Sequence, residues 1–560
     1  MKPTAIDVFS GCGGLTTGLK AAGFLVLAGV EIDKASVTAY KMNHPGIYVF
    51  GDIRQLTAVR IMETLELAVG ELDLLAGCPP CQGFSRMRTR NRKEAVEDDR
   101  NDLVLDFVRL AEGLLPKTVL FENVPGLLHD WRFDDLVKRL ERKGFLLDYD
   151  TLNLAKYGIP QRRRRLILVG SRLGNLDLPE AKGPERDVEW AIRSLPKPGE
   201  SEDPIHNSLA SHSPAVMERI RKIPKDGGSR MDLGRDAQLP CHRDFGGYRD
   251  VYGRMAWNKP SPTITRYSTN PSKGRYLHPE QDREISLREV SLLQTFPPGY
   301  KFPLEEFGRE AVASMMGEAF PPEVVRQVGE HVKSHISVIE RPIQEAAKRL
   351  ATLPPFESKH LPWRQDRTPY RMFLAEILLI RTRADIVALH FEEIYRRFPS
   401  VKDLATASQQ GIEKALAPLG LRKRVPLLLR AARFVLDEFE GEIPSDPDRL
   451  IRIPGIGLYT AAAIAAFAFG RPLVPADVNV LRFLSRLTGF EMEHETKGSM
   501  RLRALLPLLS KDRGGPAPEI LLDFTRLICR PRRPLCKKCC LQAECRFALT
   551  SPPLEVAQTV

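Results

Sequence analysis

Leu72, Leu74, Leu75 and Ala76 form a short apolar run that stops at Gly77-Cys78-Pro79-Pro80-Cys81-Gln82. Proline has no amide to give to a β-ladder and breaks a helix, so two in succession leave the chain few options. The run reads as a buried strand that halts abruptly and displays the Cys81 thiol on a rigid turn. Most lone cysteines are buried structural residues, and for Cys81 taken alone that is the plainer reading. Its neighbours in the sequence point elsewhere. A second apolar strand ends in Phe121-Glu122-Asn123-Val124, and Gln161-Arg162-Arg163-Arg164-Arg165 leads into a third, Leu166 to Val169. Side chains alternate faces along a strand, so Arg163 and Arg165 are expected on one side and Arg162 and Arg164 on the other.

The chain opens with a strand, Thr4 to Phe9, then Ser10-Gly11-Cys12-Gly13-Gly14-Leu15, then a helical pattern through Leu19 and Ala22. Strand, glycine turn and helix in that order make a nucleotide-binding opening. Thr16 stands where the third glycine of a G-x-G-x-x-G turn would fall, which argues against a dinucleotide. Glu31 ends the next apolar strand, where a carboxylate can accept from ribose hydroxyls. Asp52 follows the third, Tyr48 to Phe50, where it can accept from an adenine amino group. No positive cradle accompanies them, so a ligand with ribose and adenine but no phosphate fits.

These motifs, in this order and spacing, resemble those of the DNA cytosine-5 methyltransferases. The resemblance implies an α/β fold, a Rossmann-like sheet with helices on both faces, followed by a target-recognition region. It implies S-adenosylmethionine as cofactor, contacted by Phe9, Gly11, Cys12, Gly13, Leu15, Glu31, Ile32, Asp52, Ile53, Pro80 and Glu318. It further implies that Cys81 adds to carbon-6 of cytosine, that a protonated Glu122 relieves charge at nitrogen-3, and that Arg163 and Arg165 touch the base carbonyl and hold the cysteine loop. Desolvation against Val124 and Pro125, or the bound base, would keep Glu122 protonated. Glu318 and Phe320 are departures, standing where the family usually carries Asn and Val. Residues 171–258 have weak periodicity and occupy the target-recognition position, from which bases would be read in the major groove. The likeness resumes at Arg254 and continues through Lys259–Arg266 and Leu287–Pro297.

At 560 residues the chain has room for several units, and its formal net charge of +12 favours a polyanionic partner. No uncharged apolar stretch approaches the roughly 18 residues that would span a bilayer. Of nine cysteines, Cys12, Cys78, Cys81 and Cys241 are scattered and the other five lie within residues 529–545, a usage that suits a reducing compartment. The expectation is a cytoplasmic, nucleoid-associated, monomeric prokaryotic protein with double-stranded DNA as partner, no membrane association, and a cognate restriction endonuclease nearby.

Three segments are expected: a methyltransferase over residues 1–335, a charged helical linker over 336–355 and a helical domain over 356–550. Within the last, Leu450-Ile451-Arg452-Ile453-Pro454-Gly455-Ile456-Gly457-Leu458-Tyr459-Thr460 reads as helix, Gly-x-Gly hairpin and helix, whose freed amides can hold a DNA phosphate. Asp477 follows Tyr459 by 18 residues, and Cys529-x6-Cys536-x2-Cys539-x5-Cys545 closes the domain. Together they resemble the helix-hairpin-helix base excision glycosylases of the endonuclease III superfamily. That resemblance implies DNA contact at Gly455 and Gly457 and a [4Fe-4S] cluster on Cys529, Cys536, Cys539 and Cys545, with zinc as the alternative metal and Cys540 left free.

Tyr459 stands where the bifunctional lyases of that superfamily place a lysine, so monofunctional hydrolysis follows, with Asp477 stabilising cationic sugar. Tyr459, with Leu379-Ile380-Arg381-Thr382, is similar to the archaeal thymine-guanine mismatch glycosylases, and Arg381 would fill the gap left by a flipped base. Methylated cytosine deaminates to thymine, so a methyltransferase joined to a thymine glycosylase would correct the damage that methylation invites. A 5-methylcytosine or adenine mismatch glycosylase, or an inactive DNA-binding module serving the methyltransferase, are the alternatives for the second domain.

Overall fold

In the computed structural model, residues 2–80, 99–234, 250–356, 361–380, 382–490 and 502–550 are described. Cys81 and Arg381 lie outside them. The chain divides into two compact units, Met1–Ser337 and Val338–Val560.

The first unit is built on one seven-stranded sheet: β1 (Thr4–Val8), β2 (Leu25–Val30), β3 (Tyr48–Phe50), β4 (Leu74–Gly77), β5 (Thr118–Asn123), β6 (Leu146–Asn153) and β7 (Arg164–Ser171), in the order β3-β2-β1-β4-β5-β7-β6. The strands from β3 to β5 run parallel, and β7 enters antiparallel between β5 and β6. Alternation along β1 sends Ile6 and Val8 to one face, into a core shared with Phe107 and Phe121. Asp7 goes to the other, where its Oδ2 accepts from Thr16 N (3.0 Å) and Thr16 Oγ1 (2.6 Å) on the Gly14–Ala22 helix. Helices therefore cover both faces, as a largely parallel sheet requires. Burial pushes the Asp7 carboxyl up to about 7.

The carboxyl ends of β1, β2, β4 and β5 open on one edge, next to where the strand order reverses between β1 and β4. Ligands of open α/β sheets bind in that crevice. Strand β4 ends at Gly77, and Asn123 Nδ2 at the end of β5 donates to Pro79 O (3.1 Å), fixing the turn on which Cys78 sits.

Every regular element among the described residues of the second unit is a helix. Its core gathers apolar faces of the Pro369–Leu379, Ala384–Arg397, Val425–Phe439 and Leu458–Phe469 helices. The Pro322–Ala351 helix runs through the point at which the two units divide. No helix among the described residues is long and apolar enough to cross a membrane.

Candidate functional sites

In the first unit the glycine turn follows β1 at once. Phe9 (φ 62°) and Gly11 (φ 52°) both take the left-handed conformation, rare for a phenylalanine, and bend the chain sharply off the strand. Glu31 closes that turn from the end of β2: its Oε2 accepts from Gly11 N (2.9 Å), and its Oε1 from Ile32 N (2.9 Å) and Asp33 N (2.8 Å). Burial raises its carboxyl above the usual range while these amides oppose the shift. Cys12, Leu15 and Ile53 are buried, Ile32 is exposed, and Gly13 caps the helix with φ 94°. Pro80 is half-buried beyond β4.

Asp52 caps the short Ile53–Gln55 turn, and its carboxylate is clasped by Arg54: Nε lies 3.0 Å from Oδ1 and Nη2 lies 2.8 Å from Oδ2. This guanidinium lowers its pKa. The carboxylate expected to face adenine thus already holds a partner two residues away. Glu318, at the end of the Leu304–Glu318 helix, lies 3.9 Å from Arg266 Nη1.

At the carboxyl end of β5, Glu122 and Arg165 come together, with Arg165 Nε 2.8 Å from Glu122 Oε1. The burial pattern follows the alternation expected of the arginine run, since Arg163 is buried, Arg165 is half-buried, and Arg162 and Arg164 are exposed. Arg163 donates to Ile264 O (2.9 Å), Gly317 O (3.3 Å) and Ala319 O (3.3 Å). Among these contacts it joins backbone segments and makes a scaffold for the site. The thiol of Cys78 is pushed well up by burial and by the charge of Glu122, which disfavours its thiolate form.

In the second unit, Asp477 and Tyr459 line one cavity of about 320 Å³, together with Trp363, Met372, Glu376 and Asp523. Asp477 caps the Val478–Thr488 helix, its Oδ1 accepting from Asn479 N and Val480 N (both 2.9 Å), so the carboxylate is fixed in place. Burial, then Glu376 and Asp477, raise the Tyr459 hydroxyl well above its ordinary value, so it stays a hydrogen-bond donor. Glu376 was not singled out from the sequence. It is buried, its Oε2 has no partner among the described residues, and burial pushes its carboxyl up to about 8. The signal was present: a lone acid inside the apolar run Met372-Phe373-Leu374-Ala375-Glu376-Ile377-Leu378 must be buried, and a buried unpaired acid needs a reason.

At the hairpin, Gly455 (φ 87°) turns the chain between the Pro447–Ile451 and Leu458–Phe469 helices, and a Cβ there would stand 2.8 Å from Leu427. Gly457 begins the second helix with no side-chain cap and open space beside it. Unclaimed amides at a helix start favour an anion.

Cys529, Cys536, Cys539 and Cys545 are free half-buried thiols, as is Cys540. Arg486 links two of them, with Nη1 3.5 Å from Cys529 Sγ and its carbonyl accepting from Cys545 Sγ at 3.5 Å. Burial and then the Cys529 thiol raise Cys536, and burial takes Cys539 to about 11. No group of three or more metal-ligating side chains at metal-holding distance occurs among the described residues. The donor set itself, four cysteine sulfurs within residues 529–545, is of the soft kind that zinc or an iron-sulfur cluster takes once the thiols give up their protons. Arg526, Arg530, Arg532, Arg533, Lys537, Lys538 and Arg546 are all exposed around it.

Comparison with known proteins places these sites in context. Residues 4–334 match the family model of the C-5 cytosine-specific DNA methylases, and residues 374–507 that of the HhH-GPD superfamily base excision DNA repair proteins. Type II methylase M.HgiDII of Herpetosiphon aurantiacus is 33% identical over 346 residues, 60% of this chain and 96% of the relative. Type II methyltransferase M1.BsuMI of Bacillus subtilis (strain 168) is 30% identical over 339 residues, 57% of this chain and 77% of the relative. A solved structure of a thermostable thymine-DNA glycosylase is similar over 39% of this chain and 97% of its own, with 26% identity and a TM-score of 0.33.

Proposed function

This chain belongs to the C-5 cytosine-specific DNA methylases and carries a second domain of the HhH-GPD base excision repair type; from that premise we propose one enzyme that methylates cytosine in a specific DNA sequence and removes thymine from the T:G mismatches left when the product deaminates. S-adenosylmethionine fits the methylase family, and when bound it supplies the methyl group. Glu31 would take its ribose, with Phe9, Gly11, Cys12, Gly13, Leu15, Ile32, Asp52, Ile53 and Pro80 around it. Cys81 adds to carbon-6 of a flipped cytosine, making carbon-5 nucleophilic. Glu122, held by Arg165, would face nitrogen-3, where a proton taken up with the bound base and shared between ring and carboxylate relieves the charge that the thiolate addition creates, and Arg163 keeps the surrounding segments in register.

In the second domain Asp477 faces the sugar as its bond to the base breaks, stabilising positive charge at carbon-1′ and orienting water. Tyr459 has no amine with which to form a Schiff base, so release is hydrolytic. Glu376 carries the base preference. Protonated below about 8, it donates from the wall of the same cavity, a match for a carbonyl of thymine and a mismatch for the amino group that 5-methylcytosine carries at carbon-4. The single supporting observation is this trio of Glu376, Tyr459 and Asp477 around one cavity. Gly455 and Gly457 would hold a phosphate, and Arg381 the vacated stack. Cys529, Cys536, Cys539 and Cys545 would hold a [4Fe-4S] cluster whose charge anchors the basic loop around it.

The test is a panel of duplexes, unmethylated, hemimethylated, T:G and A:G, scored for methyl transfer and abasic sites on the same strands. Methyl transfer with thymine release is expected. Release of 5-methylcytosine or adenine, or no release at all, would replace the proposed repair activity by a different excision or by DNA binding alone.

A further inference from the structure

Tyr300 lies 288 residues from Cys12 in sequence and reaches it in the fold, its hydroxyl donating to Cys12 O at 2.5 Å. The ring is buried between Phe296 and Phe302, whose ring centres are 4.8 Å and 5.2 Å away. Its backbone is held as well, with Tyr300 N donating to Pro297 O (2.9 Å) and Arg288 Nη1 donating to Tyr300 O (3.1 Å). Next to it, Asn43 at the end of the Lys34–Asn43 helix exchanges two hydrogen bonds with the Lys301 backbone, at 2.8 Å and 2.9 Å. A tyrosine fixed from so many sides delivers its hydroxyl to one place.

His44, the residue that ends the same helix, is buried beside it. Its Nε2 lies 3.2 Å from the Tyr300 hydroxyl, 3.3 Å from Thr17 Oγ1 and 3.4 Å from Gly13 O. Thr17 Oγ1 donates to Gly13 O (2.7 Å), as Tyr300 does to Cys12 O. Each hydroxyl thus gives its proton to a carbonyl of the turn and can only accept from His44, which assigns the imidazole proton to Nε2. Nδ1 is then the acceptor, and Lys20 Nζ stands 3.5 Å from it. Burial, and after it the charge of Lys20, hold the imidazole at about 4, which keeps the ring in this neutral form.

The turn needs such support. Phe9, Gly11 and Gly13, alternate residues along it, all have positive φ, a conformation that persists only where the surroundings enforce it. Glu31 ties the turn at Gly11 N, and Tyr300, His44 and Thr17 tie it at the carbonyls of the next two residues. A Cβ on Gly11 would meet nothing within 4 Å, whereas one on Gly13 would stand 2.7 Å from both His44 Nε2 and Tyr300 Oη. The turn is therefore open at Gly11 and closed at Gly13, where the protein's own side chains take the space. We propose that Tyr300 and His44 are positioning residues for the methyl donor, holding the Cys12 and Gly13 carbonyls so that the turn is already in its binding conformation before the donor arrives. The proposal rests on the reading of this turn as the S-adenosylmethionine site. A preformed turn spares the ligand the cost of ordering it, so the effect falls on donor affinity.

Calorimetric titration of S-adenosylhomocysteine into the full chain, with methyl-transfer kinetics on the same samples, tests this brace. Tyr300→Phe keeps the ring and its packing but removes the hydroxyl, and is expected to bind S-adenosylhomocysteine about five- to tenfold more weakly. The KM for the methyl donor should rise by about the same factor, while kcat at saturating donor and the KM for DNA stay within about twofold, the mark of donor binding lost without loss of chemistry. His44→Leu should lose as much affinity, and His44→Gln, which keeps an N–H donor, should recover most of it. Unchanged affinity in Tyr300→Phe, while the unaltered protein binds the ligand, overturns the brace and leaves the donor site standing. An equal rise in both KM values overturns it too, because the tyrosine would then support the unit in general and not the donor. If the unaltered protein binds no S-adenosylhomocysteine, the reading of the turn fails and the brace with it.

Discussion

Arg165 Nε lies 2.8 Å from Glu122 Oε1, with the two side chains 15% and 9% exposed. The register explains the meeting: Glu122 on β5 stands opposite Ile167 on β7, so Arg165, two residues along, is its diagonal neighbour on the same face. The two side chains thereby fix each other in place across neighbouring strands.

Breaking a pair this buried leaves one charge without compensation, at a cost of about 3 kcal/mol. Arg165→Leu is expected to destabilise the first unit by about that much and to abolish methyl transfer. Adding Glu122→Gln should restore most of the stability and none of the activity. Urea denaturation with a radiolabelled methyl assay on the three proteins checks both halves. Equal stability of the single and double variants would show that the pair is not coupled.

Asp477 both caps a helix and faces the cavity, and the two roles separate under substitution. Asparagine caps about as well as aspartate but cannot stabilise a cation. Asp477→Asn should melt within a few degrees of the unaltered protein while thymine release falls by a factor of about 100 or more. Single-turnover cleavage of a T:G duplex after alkali treatment gives the rate.

The Glu376 carboxyl, raised to about 8 by burial, carries a definite pH sign. The folded protein retains a proton that the unfolded chain loses near pH 4.5, so this contribution to stability is fully present below that value and declines as pH rises through about 8. Thymine release should fall over the same upper range, where the donor is lost. Glu376→Gln keeps a donor without titrating, and is expected to flatten the high-pH decline in both melting temperature and rate. Parallel profiles for the two proteins would remove Glu376 from the recognition of the base.

Replacing Cys539 by serine takes away one of four proposed ligands, and its thiol is among those held up by burial. Cys539→Ser, purified anaerobically, should lose the visible absorbance and most of about four irons per chain expected of a [4Fe-4S] cluster. Base release should drop with it and methyl transfer should persist. Zinc in place of iron by metal analysis would turn the loop into a structural zinc site.

The strand ends, the glycine turn, the alternation of Arg162 to Arg165, the hairpin at Gly455 and the spacing of the cysteines were all legible in the sequence. Each is decided by neighbours along the chain: where proline stops a ladder, where glycine admits a left-handed turn, which side of a strand a residue faces. Asp52 shows the limit of such reading, because its position was evident but its engagement by Arg54 depends on a rotamer. The tertiary structure alone brought Glu376 to Tyr459 and Asp477, and Glu318 to Arg266. Those partners are distant in sequence, and their meeting is fixed by how helices and loops pack. Whether a carboxyl such as Glu376 keeps its proton is likewise set by the water that packing excludes, a property of the folded interior that no local pattern of residues encodes.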